Sequence, residues 1–129
     1  MLQNQIDDKR AIGVKLCERL RAEITKLGFA DDELLDHPYY HTASFVLIKD
    51  PYTGNSNLTG YWYNKRNKPR IERIGQLQFN SDGSFYAEYD VVKPHPHKAD
   101  WFVEAVTAWG KDDVIKTEAR LLPMMVENA

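Results

Sequence analysis

Between residues 70 and 92 the chain alternates so regularly that it admits few structures. Leu77, Phe79, Phe85, Ala87, Tyr89 and Val91 are interleaved with Gln76, Gln78, Tyr86, Glu88 and Asp90, a period of two that belongs to half-buried strands. Asn80-Ser81-Asp82-Gly83 separates the two runs and suits a turn in which Gly83 takes a positive φ. A three-residue loop of Ser81, Asp82 and Gly83 sets Asn80 opposite Ser84, Phe79 opposite Phe85, Leu77 opposite Ala87 and Gly75 opposite Tyr89. The tyrosine can cover the bare backbone of the glycine. A slip of one residue would expose both phenylalanines, so the register is well specified. One face of this hairpin is core; the other, carrying Tyr86, Glu88 and Asp90, faces water.

The rest of the chain is arranged around that hairpin. Residues 4–27 place Ile6, Gly13, Leu16, Cys17, Leu20, Ile24 and Leu27 at helical spacing, with Gly28 as the stop. Asp31 can cap a short helix over residues 30–37 that Pro38 ends. Residues 39–49 turn to strand, and the near-continuous run Phe45-Val46-Leu47-Ile48 suits a strand covered on both faces or near the sheet centre. Asp50-Pro51 and Gly54-Asn55 make a turn, and residues 58–65 return as strand. Residues 100–110 are β-branched and aromatic enough (Trp101, Phe102, Val103, Val106, Thr107, Trp109) to predict strand over helix. A loop of Lys111, Asp112 and Asp113, with Asp113 left-handed, sets Trp109 opposite Ile115, Thr107 opposite Thr117, Ala105 opposite Ala119, Val103 opposite Leu121, and Glu104 beside Arg120.

The expected architecture is therefore one α+β domain over residues 1–129. A helix at 4–27 packs on one face of a curved antiparallel sheet of about six strands in meander order over 39–122, and a tail at 123–129 frays. The length is enough for a working core. A net charge of −2 gives no general attraction to nucleic acid or membrane. The single cysteine, Cys17, excludes an internal disulfide framework and lies in the apolar stripe, where a small buried hydrophobe is the expected role. No apolar run approaches membrane-spanning length and the first ten residues are too polar for a signal peptide, so the expected location is cytoplasmic.

No catalytic motif or cofactor fingerprint stands in the sequence, and the serines lack a Gly-x-Ser-x-Gly elbow. Three constellations remain. His95 and His97 are two apart in a proline-stiffened segment, so both imidazoles can point the same way toward one metal, with Asp100, His37 or His41 as further donors. Tyr61-Trp62-Tyr63 followed by Lys65, Arg66, Lys68, Arg70 and Arg73 combines stacking rings with cations, as single-strand binders do, although an acidic pI of about 6.1 counts against nucleic acid. Tyr86, Glu88 and Asp90 form an acidic, aromatic row that would suit a basic protein partner, and would equally suit an ordinary wet sheet face. The leading expectation is a non-catalytic protein-interaction or regulatory module. The alternatives are a small-ligand binder or enzyme with a pocket between sheet and helix, lined by Phe85, Tyr89, Trp101 and Trp109, and after it a nucleic-acid binder. Open strand edges make a homodimer possible.

Overall fold

The N-terminal stripe winds into helix α1 (Leu2–Leu27) in the computed structural model, which describes residues 2–30, 38–64 and 72–124. Leu16, Cys17, Leu20 and Ile24 are buried while Lys15, Glu18 and Arg19 between them are exposed, the one-sided pattern of a helix laid on a core. Gly28 ends it at a φ of 107°, a left-handed stop that a glycine adopts without strain. Gly13 is buried for another reason. The Tyr40 ring lies on it so closely that a Cβ would overlap the ring. Tyr40 belongs to a 3-10 turn (Tyr40–Thr42), and its hydroxyl donates to the Ile6 carbonyl at 2.6 Å. The strand expected from residue 39 therefore starts only at Ser44, after this turn.

Six strands follow as an antiparallel meander: β1 (Ser44–Lys49), β2 (Ser56–Asn64), β3 (Glu72–Phe79), β4 (Ser84–Pro94), β5 (Trp101–Lys111) and β6 (Val114–Pro123). The sheet does not close, so β1 and β6 are its edges. The β3–β4 hairpin has the expected register, with Phe79 opposite Phe85, Leu77 opposite Ala87 and Gly75 opposite Tyr89. Gly83 sits at φ 90°, and the Asn80 N–H donates to the Ser84 carbonyl at 2.9 Å. The ring lying on Gly75 is that of Trp62 in β2 rather than Tyr89. Trp62 is buried, its indole N–H donates to the Tyr39 carbonyl at 2.9 Å, and it meets Tyr89 edge-on at 6.2 Å.

Three further expectations need correction. Residues 44–49 form the edge strand, not a covered or central one: Val46, Leu47 and Ile48 are 43, 43 and 42% exposed. An apolar run suits a buried strand, but nothing local in it says whether a neighbour arrives. Next, β5 is a strand as expected, but its hairpin with β6 turns on two residues, Asp112 and Asp113, with Lys111 opposite Val114 and the positive φ (57°) on Asp112 rather than Asp113. Trp109 thus faces Lys116 and Ala105 faces Arg120, one residue away from the expected pairing; a bulge at Glu104 absorbs the slip, and Val103 meets Leu121 after all. Finally, β6 runs through Pro123 and the Met124 N–H donates to the Asp100 carbonyl at 2.8 Å, so the first part of the expected tail is held. The short helix expected over 30–37 and the basic segment from Lys65 to Arg70 fall largely outside the described residues.

Helix α1 lies across β4, β5 and β6 and touches β1. Leu16, Leu20 and Ile24 interlock with Leu77, Val103 and Val106, all essentially inaccessible to water. Burial of each such side chain contributes about 1.5–3 kcal/mol. Helix and sheet thus share one core, and among the described residues the opposite sheet face carries no helix.

Candidate functional site

Alternation puts Tyr86, Glu88 and Asp90 of β4 on the helix-free face, all half-buried. Cross-strand pairing sets Gln78 and Gln76 of β3 on one side of them, and Trp109, Thr107 and Ala105 of β5 on the other. The row is internally wired. Tyr86 donates its hydroxyl to Glu88 at 2.8 Å, and the second Glu88 oxygen faces Arg120 at 3.4 Å. Arg120 also reaches Glu104 at 3.6 Å, the cross-strand partner expected from sequence. Partial burial, then the hydrogen bond to Glu88, push the Tyr86 hydroxyl up to about 12, so it remains a protonated donor at neutral pH.

Asp90 differs from its neighbours. No described residue donates a hydrogen bond to its carboxylate, and burial followed by the nearby Glu88 charge raises its pKa above the ordinary aspartate value, against the pull of Arg73 and Arg120. It stands where the sheet comes apart. Pairing of β3 with β4 ends at Gly75 and Tyr89, while β3 continues along β2 and β4 continues along β5. The gap is a cleft of about 320 Å³ whose lining includes the apolar Ile74, Tyr89 and Val91 and the charged Glu72, Arg73, Asp90 and Lys93.

Val92, also in the cleft wall, has a φ of 51°. A β-branched residue in the left-handed region is strained, by about 1–2 kcal/mol. The strain belongs to a bulge, in which Val91 and Val92 of β4 stand against Glu104 alone. Bulges of this kind re-aim side chains and gather beside binding sites. Sequence reasoning found the row but not the parting or the bulge, because valine carries no local preference for a positive φ.

The other sequence candidates lie apart. His95 and His97 sit between β4 and β5 with rings 6.5 Å apart. The His95 Nδ1 accepts the His97 and Lys98 N–H groups, each at 3.0 Å, which leaves the ring proton on Nε2. Desolvation, then Lys98 and His97, lower the His95 pKa. The His97 ring packs over Gly28 at the helix end. Among the described residues no group of three or more His, Cys, Asp or Glu is placed to hold a metal; His41 stacks on Tyr39 instead, and His37 lies outside the described residues.

Tyr61 and Tyr63 share the helix-free face, with the Arg73 guanidinium 5.1 Å from the Tyr61 ring, whereas Trp62 points into the core. The four aromatic residues expected to line one pocket do not meet. Phe85 and Tyr89 are core, Trp109 pairs with Tyr86 on the other face, and Trp101 is 40% exposed at the far end of β5. Cys17 is buried, and that burial pushes its thiol up to about 12, which leaves no thiolate at neutral pH.

No described helix is long and apolar enough to cross a membrane. Comparison with protein-family models, curated proteins and solved structures finds no match to this chain.

Proposed function

We propose that the chain is a non-catalytic interaction module that binds a protein partner through the helix-free face of its sheet. One observation carries this reading: Asp90, half-buried on that face at the parting of β3 and β4, has no described donor while its neighbour Glu88 has two. A desolvated carboxylate beside a cleft gains most from an incoming cation, so the partner presents a lysine or arginine there. Tyr86 and Trp109 supply the aromatic surface that anchors such contacts. Nucleic acid is a poorer fit, because phosphates approaching Tyr61 and Arg73 would also meet Glu88 and Asp90.

Native mass spectrometry of protein purified gently from its own cells tests the proposal, with Asp90→Asn and Tyr86→Ala as variants whose folding is checked by circular dichroism. A partner at fixed stoichiometry that both variants lose is the expected result. A partner retained by both would refute the site. Added mass of a small molecule lost in Asp90→Asn would replace the protein partner with a ligand held in the cleft.

A further inference from the structure

The two edges of the sheet are built differently. The β6 edge carries Lys116, Glu118 and Arg120 along the helix-free face and ends in Pro123, devices that discourage further strand pairing. Of these the β1 edge has only a single terminal charge. Its sequence, Ser-Phe-Val-Leu-Ile-Lys, holds no proline and one charge at its end, and its register with β2 runs without a bulge.

The direction of its free hydrogen-bonding groups follows from the ladder. The Asp50 N–H donates across the turn to the Asn55 carbonyl at 2.8 Å, and the Asp50 carbonyl accepts from Gly54 at 2.9 Å. Backbone groups alternate along a strand, so Ile48, Val46 and Ser44 also point to β2. Phe45, Leu47 and Lys49 then point their N–H and C=O groups outward. Counting from the other hairpin, where the Asn80 N–H meets the Ser84 carbonyl, and crossing β3 and β2 gives the same assignment.

We infer that β1 pairs antiparallel with β1 of a second copy of this chain, with the two-fold axis passing beside Leu47. Symmetry requires the axis to pass between two identical residues, one from each copy. Centring on Leu47 pairs it with itself and Phe45 with Lys49 of the other copy, which engages every outward backbone group of the strand. Val46 then meets Ile48 on the helix-free face, covering two of the exposed apolar side chains. No like charges oppose one another. Because the axis is perpendicular to the sheet, both Tyr86–Asp90 rows lie on the same side of one continuous sheet. This inference stands independently of the proposed partner-binding role. A six-residue strand makes a short interface against the roughly 1,200–2,000 Å² of stable complexes, so the dimer is a concentration-dependent one.

Sedimentation equilibrium over a wide concentration range reads the association, and Val46→Lys with Ile48→Lys sets like charges opposite each other. The expected result is a monomer–dimer equilibrium whose dissociation constant rises by about tenfold or more in that variant. Leu47→Cys tests the register separately. Opposed residues of this kind have Cα atoms about 5.5 Å apart, within disulfide reach, so mild oxidation gives a covalent dimer, whereas Lys49→Cys does not. Buried Cys17 does not interfere. A monomer at every concentration, open-ended association, a dimer indifferent to the paired lysines, or cross-linking through residue 49 in place of 47 would each overturn the inference.

Discussion

Asp90 and Gly13 show how much a single position can be set by its surroundings. The raised Asp90 pKa means that the native state holds that proton more tightly than the unfolded chain does. The aspartate therefore favours the fold least above its raised value, and stability falls as pH rises from the ordinary carboxylate range through it. Asp90→Asn removes this penalty. Urea titrations are expected to show the variant more stable than the parent at neutral pH, with the advantage gone by about pH 3, where both are neutral. A gain in stability together with lost partner binding is what a residue kept for function would give. Gly13→Ala runs the other way. Alanine improves helix propensity by about 1 kcal/mol, but the added methyl meets a Tyr40 ring held by its bond to Ile6 and by Phe45 at 5.0 Å. Overpacking costs about 1–3 kcal/mol, so thermal denaturation should show a net loss.

Among the elements, the β5–β6 turn offers the sharpest test, because sequence and structure put the left-handed residue at different positions. Asp112→Gly relieves a positive φ of 57° and should raise stability by a few tenths to about 1 kcal/mol. Asp113→Gly adds only unfolded-state freedom and should lower it; both are read from denaturation midpoints. The contrast also shows what was legible. The β3–β4 register could be read because Gly83 marks the turn and each face has its own chemistry. In Lys111-Asp112-Asp113 either aspartate tolerates the left-handed region, so loop length was ambiguous by one, and the extra residue at Glu104 hid the error by restoring Val103 to Leu121. The row of Tyr86, Glu88 and Asp90 followed from the same period of two. The cleft beside it did not, since it arises where two strands stop pairing and no residue type announces that. Nor could Val46, Leu47 and Ile48 be placed at an edge, because an apolar run looks the same with or without a neighbour.

For the molecule as a whole, the decisive feature is that α1 closes the core it shares with the sheet. Leu16, Leu20 and Ile24 are buried in one cluster with Leu77, Val103 and Val106, and α1 packs on β4, β5 and β6. The sheet without the helix would leave Leu77, Val103 and Val106 wet, and the helix alone would be marginal in water. Among the described residues neither part has a second core to fall back on, so the chain should unfold in one step. Leu20→Ala tests this directly. Leu20 has no exposed surface, and truncating such a leucine costs about 2.7–5 kcal/mol, a large share of the roughly 5–15 kcal/mol that stabilises a typical domain. Far-UV circular dichroism follows the helix; fluorescence of Trp62, isolated by replacing Trp101 and Trp109 with phenylalanine, follows the β2–β3 region of the core. In that background the two probes should report a single midpoint, and Leu20→Ala should shift both by the same amount. If the dichroism midpoint moved while the fluorescence midpoint held, the sheet would be standing without the helix, and the shared core would not be what holds the fold together.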